Sequence, residues 1–174
     1  AKKIADLAAD FEELREAYAE GKVQVEQDWG FNDEWHPVDF DYRNPEMWHM
    51  SKLDVFYRLS EADARIIDHK SGKSRNNEVK HAQQGQTYAA AAFAKYPELE
   101  VVSVEFWYLD EGHISRKNYT RSQALRLAGR LTPRAKALTE CVMFVPKPNR
   151  FNCGFCDYGP SKGTGACPFG VDGK

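Results

Sequence analysis

Residues 52–73, KLDVFYRLSEADARIIDHKSGK, hold two runs of β-forming side chains separated by Glu61-Ala62-Asp63, the layout of a hairpin or of neighbouring strands. Asp54 and Asp68 interrupt those runs. An isolated charge in an apolar strand is costly to bury unless it is paired or bound to metal, so both aspartates need a reason. A hairpin folded about Glu61 sets Asp54 across from Asp68, and the period of two along a strand sets Lys70 on the face of Asp68. Two carboxylates and an ammonium then share one spot. Carboxylates so close repel each other, and a hard divalent cation such as Mg2+ or Mn2+ relieves the repulsion through oxygen ligands. The lysine then orients the attacking water or balances charge on a phosphate. A plainer role also suits Asp68-His69-Lys70, as the polar end of a strand before the Ser71-Gly72 turn.

The surrounding patterns supply the rest of a layered domain. Ile4, Leu7, Phe11, Leu14 and Tyr18 recur at helical spacing and stop at Gly21, which predicts a helix over 3–20. A strand is expected over 23–31, followed by a loop with two prolines. Asn76 to Tyr96 is Ala-rich, ends at Pro97 and reads as a helix on a sheet. LEVVSVEFWYLDEGHISRKNYT reads as strand, Asp-Glu-Gly turn and strand. Ser122 to about Cys141 returns to helical character, and Pro133 is expected to break it in two. The order α, β, β, β, α, β, β, α predicts an α/β fold, a mixed sheet flanked by helices, followed by a Cys-rich tail.

A chain of 174 residues, 42% hydrophobic, suffices for one compact domain with a small appendage. Its net charge of −2 gives no bulk attraction to nucleic acid, so such binding needs a local basic patch. No apolar run approaches the roughly 18 residues of a membrane span, and the N-terminus lacks a secretion signal, so a cytoplasmic protein with no membrane partner is expected. The chain begins at Ala1 rather than Met, directly in a helical pattern, which suggests a fragment or a processed start. Without a signal, Cys141, Cys153, Cys156 and Cys167 are expected to be metal ligands or free thiols ahead of disulfides.

IIDHKSGK followed by QQGQTYAAAAF resembles the RecB-like branch of the PD-(D/E)XK nuclease superfamily, in which an Asp, an acidic-x-Lys strand and a Q-x-x-x-Y helix follow in order. Here these are Asp54, Asp68-His69-Lys70 and Gln84 to Tyr88. VEQDWGFNDEW ahead of KLDV also looks like the lead-in strand of phage members, and the likeness runs from about Val23 to Phe169. The resemblance implies a restriction-endonuclease-like core over 1–145 with a metal-binding tail over 146–174 packed on it. It implies Mg2+ or Mn2+ on Asp54, Asp68 and a backbone carbonyl near Ile67, Lys70 as catalytic lysine, and Gln84 and Tyr88 helping to hold the DNA. Positions i and i+4 share a helix face, so those two side chains can point one way. The implied activity is exonucleolytic, on single-stranded DNA or duplex ends, in phage recombination, repair or replication, with a helicase or recombination protein as partner. The branch usually places a further His ligand on a helix ahead of the first Asp. The first helix here has none, so either that His lies upstream of Ala1 or the site is incomplete.

Several members of the branch, the AddB-type helicase-nucleases and CRISPR-adaptation nucleases among them, end in a Cys cluster that binds iron and sulfur. That resemblance implies a 4Fe-4S cluster on Cys153, Cys156 and Cys167, with its fourth ligand either Cys141 or upstream of Ala1. Four thiolates suit Zn2+ as well. Arg116, Lys117, Arg121, Arg126, Arg130, Arg134 and Lys136 form a basic run, and Lys147, Arg150 and Lys162 flank the cysteines; such a band can track a phosphate backbone or be a solvated face. Tyr119, Phe151, Phe155 and Tyr158 lie among these charges, where they can stack on unpaired bases or pack in a core. Two competing readings are a non-catalytic DNA-binding or recombination module with a zinc knuckle, and a structure-specific endonuclease.

Overall fold

The computed structural model describes residues 3–143 and 145–172. These divide into two compact units, Ala1–Arg134 and Ala135–Lys174. Unit 1 is built on a six-stranded mixed sheet in the order β2-β1-β3-β4-β5-β6, with β1 Val23–Phe31, β2 Pro37–Val38, β3 His49–Arg58, β4 Asp63–Lys70, β5 Val101–Tyr108 and β6 His113–Thr120. A 3-10 turn, Ile4–Leu7, leads into helix α1, Ala8–Ala19; α2 spans Glu78–Lys95, and α3, Arg121–Thr139, begins in unit 1. The α/β class expected from the sequence is the class found.

Local chemistry sets the element ends. Gly21, at φ +76°, ends α1 in the left-handed region where a side chain would be strained, and Lys22 N–H reaches back to the Ala17 carbonyl at 3.0 Å. The loop expected after β1 contains a two-residue edge strand, where Pro37 costs no interior ladder bond. Pro133 does not break α3, contrary to expectation. Pro133 has no N–H to offer the Gly129 carbonyl, and in the adjoining turn the Thr132 hydroxyl donates to the Ala128 carbonyl at 3.0 Å.

Among the described residues only β4 and β5 pair in parallel, and the crossover such a pair needs is α2. The sheet has a core on each face. Residues 89–92 of α2, all alanine, are buried with Trp29, Phe31, Leu53, Phe56, Ile66, Val102, Val104 and Phe106. Small side chains there, with Gly85 (a Cβ would lie 3.3 Å from the Phe106 ring), seat α2 close on the strands. On the other face Leu7 and Ala17 pack with Val23, Val55, Ile67 and Trp107, each large side chain contributing about 1.5–3 kcal/mol by burial.

One irregularity crosses β1 and β3. Trp29 and Leu53 belong to the α2 core while Val23 and Val55 belong to the α1 core, although within each strand an even number of residues separates them. A regular strand would put such residues on one face. The switch falls where the ladder passes from Val25–Val55 to Gln27–Leu53, at Glu26 opposite Asp54, and Glu26 has φ +50°. A non-glycine residue held there marks local strain, commonly at functional positions.

Among the described residues no helix is long and apolar enough to cross a membrane. Unit 2 carries a short helix α4, Arg150–Gly154, capped by the Asn149 side chain accepting from Asn152 N–H at 2.8 Å.

Candidate active site

Strands β3 and β4 pair from Arg58–Ala64 as far as Val55–Ile67 and then part. At this fork the Asp54 carboxylate takes the place of a main-chain acceptor, its Oδ2 receiving the His69 N–H at 2.7 Å. The His69 ring Nδ1 lies 3.6 Å from the same oxygen, and the ring stacks on Phe11 of α1 at 5.8 Å. The face switch at Asp54 is what turns its carboxylate toward the β4 backbone. Sequence periodicity expected it on one face with Asp68 and carried no sign of the switch.

Asp68 is buried, 4% exposed, and its carboxylate faces α2. Oδ2 pairs with Lys70 Nζ at 2.6 Å; Oδ1 accepts from the Tyr88 hydroxyl at 2.9 Å and from Gln84 Nε2 at 3.2 Å. Gln84 is oriented from both ends: its Oε1 accepts from Lys70 Nζ at 3.0 Å and its Nε2 also donates to the Tyr88 oxygen at 2.7 Å. Lys70 stands 5.4 Å from the centre of the Phe106 ring, a cation–π contact. Asp68, Lys70, Gln84 and Tyr88 thus form one closed network beside the fork that holds Asp54. Burial first, and the Asp68 charge second, push the Tyr88 phenol above its ordinary pKa, so it stays a neutral donor.

Ile67, its side chain wholly buried in the α1 core, is the last β4 residue paired with β3 before the fork and also pairs with Glu105 of β5. Among the described residues no three His, Cys, Asp or Glu groups gather as a metal site. Two carboxylates still fit Mg2+, which retains most of its waters and takes one or two carboxylates together with substrate phosphates. The sequence reading missed His69 as a partner of Asp54. Its only signal was its place between the acidic residue and the lysine.

The tail does not bear out the cluster or zinc expectation. Cys141, Cys153, Cys156 and Cys167 are free thiols. The Cys156 N–H donates to the Cys153 carbonyl at 3.4 Å and the Cys167 N–H to the Tyr158 carbonyl at 2.9 Å, while the Cys141 thiol donates to the Met143 carbonyl at 3.1 Å. A four-thiolate centre needs all four sulfurs converging on one point, and no such group forms among the described residues.

The family model for the PD-(D/E)XK nuclease superfamily matches residues 51–161, well over half of the chain, and spans the fork, the network and α2. No curated protein matches. Among solved structures, the crystal structure of SSO0001 is similar over 98% of this chain and 70% of that one, at 13% identity and a TM-score of 0.40, a likeness that carries no argument.

Proposed function

The chain belongs to the PD-(D/E)XK nuclease superfamily, and from that premise we propose that it is a metal-dependent deoxyribonuclease hydrolysing phosphodiester bonds at Asp54 and Asp68. The observation that carries this reading is the closed network around Asp68 beside the fork at Asp54. Mg2+ or Mn2+ held by the two carboxylates would neutralise charge at the scissile phosphate and lower the pKa of a bound water. Lys70, fixed by Asp68 and Gln84, holds its ammonium where it can donate to the attacking water or to a phosphate oxygen. Gln84 keeps that ammonium and the Tyr88 hydroxyl at a set separation, and Tyr88 holds the Asp68 carboxylate to one rotamer. The likeness of the motifs to the RecB-like branch supports an exonuclease acting in phage DNA recombination, repair or replication beside a helicase or recombination protein.

The test is cleavage of end-labelled single- and double-stranded DNA, and of circles, with Mn2+ or Mg2+. Linear DNA should be degraded, circles spared, and EDTA should stop the reaction. Lys70→Ala should lower the rate by about 10²–10⁴-fold while DNA binding persists. Intact DNA under every condition overturns the proposal. That outcome would favour a non-catalytic DNA-binding module, a second reading that rests on the lack of a third gathered ligand among the described residues.

A further inference from the structure

The basic run of β6 and α3 is sorted by the fold into different duties. Arg116 pairs at 2.7 Å with Glu105, which is wholly buried and also meets Arg65 at 3.0 Å. Arg121 closes the C-terminus of α2, donating to the carbonyls of Phe93 and Tyr96 at 3.1 Å, of Leu99 at 2.6 Å and of Pro97. Neither is available to a ligand. Lys117, Arg126 and Arg130 instead line one open groove of about 240 Å³ with Gln86, Tyr119 and Gln123, and no carboxylate lines it.

Lys117 and Tyr119 also line a second cavity of about 240 Å³, so the two hollows are neighbours. The second is walled by rings. His81 stacks on Phe106 at 5.3 Å with its Nδ1 2.6 Å from the Tyr108 hydroxyl, and His113 stacks on Tyr108 at 6.0 Å. Ser74, Glu78 and Ser115 add hydroxyl and carboxylate groups at its rim. Ring walls with a polar rim suit a single heteroaromatic ring, held by stacking and by bonds to its edge. A base still paired in a duplex cannot enter such a cavity. The α2 residues lining the hollows are Glu78, His81, Ala82 and Gln86; Glu78, Ala82 and Gln86 follow an i, i+4 row, and His81 lies three and seven residues before Gln84 and Tyr88, on the helix face that turns toward Asp68, so the cavity borders the catalytic network.

We propose that this groove is the track of one unpaired nucleic-acid strand, its phosphates on Lys117, Arg126 and Arg130 and one base lodged in the adjoining cavity. It is a holding site beside the catalytic network and rests on the nuclease reading for its substrate. Binding of fluorescein-labelled oligothymidylate and of a labelled duplex is measured in EDTA, across a salt series, so that cleavage plays no part. Arg126→Gln with Arg130→Gln, both exposed positions, should weaken oligothymidylate binding on the order of tenfold and lower its salt slope by about 1.4, at about 0.7 per phosphate contact. Ser115→Trp, filling the cavity from an exposed position, should weaken the single strand and leave the duplex unchanged. Arg43→Gln, in the loop between β2 and β3, should change neither. Unchanged affinity and slope in the double variant, or equal losses for single strand and duplex in Ser115→Trp, overturn the proposal. Because this readout needs no cleavage, failure of the nuclease assay and failure of the track are separate results.

Discussion

Replacing Tyr88 with Phe deletes one oxygen from the network and leaves the ring in place. That oxygen donates to Asp68 Oδ1 at 2.9 Å and accepts from Gln84 Nε2 at 2.7 Å, in a side chain only 7% exposed. A hydrogen bond to a charged acceptor contributes about 1.5–3 kcal/mol, so the variant should lose about 2 kcal/mol at pH 7. For a chain of this size that is about 4–8 °C in Tm. The loss should also depend on pH. The folded protein holds the Tyr88 proton more tightly than the unfolded chain, by burial and by the Asp68 charge. The contribution is therefore complete below the ordinary tyrosine value of about 10 and declines as pH rises toward the folded value, by up to about 1.4 kcal/mol per pH unit. Phenylalanine has no proton to lose, so the gap between the two proteins should narrow by about 1 kcal/mol from pH 10 to 11. Urea unfolding followed by tryptophan fluorescence at pH 7, 10 and 11 measures both effects. A variant as stable as the parent at pH 7, or a gap that stays constant or widens above pH 10, would refute the argument.

Arg121→Ala should destabilise unit 1 by about 3 kcal/mol, since the charged donor to the Phe93 carbonyl of α2 and to carbonyls of the chain just after it is lost, yet leave oligothymidylate affinity per folded molecule unchanged; urea unfolding and anisotropy separate the two. His49, packed against Trp35 at 4.9 Å and Phe31 at 6.1 Å, is held below its ordinary pKa by burial. Its stabilising contribution is present above about pH 6.5 and lost as pH falls through the folded value. Its ring should titrate below 6.5 by NMR, and His49→Phe should flatten the decline in stability between pH 6.5 and 5.

The network was legible because its members obey short-range rules. Asp68 and Lys70 are two apart on a strand, Gln84 and Tyr88 are four apart on a helix, and both spacings bring side chains together whatever the remaining fold does. Asp54 was legible as an expensive charge but not in its orientation, because the switch opposite Glu26 is a backbone event with no glycine or proline to announce it. Pro133 misled because its cost falls on one backbone bond, to the Gly129 carbonyl, in a helix whose turns continue on either side. The cysteine spacing read as a metal knuckle, whereas convergence of sulfurs depends on loop paths that spacing does not determine. The basic run looked continuous in one dimension. Only the register of β6 on β5 separates Arg116, on Glu105, from Lys117, on the groove.

The roll of β1 and β3 at Glu26 and Asp54 exchanges the core that the odd-numbered residues of those strands face. Trp29, Phe31 and Leu53 pack with the helix that carries Gln84, whereas Val23 and Val55, at odd-numbered positions like them, pack with the N-terminal helix, and Phe56 beside Val55 returns to the first core. Asp54 sits on the joint between them. The backbone turn that exchanges the two cores is thus also what aims that carboxylate at the His69 N–H, so packing and site share one hinge residue pair.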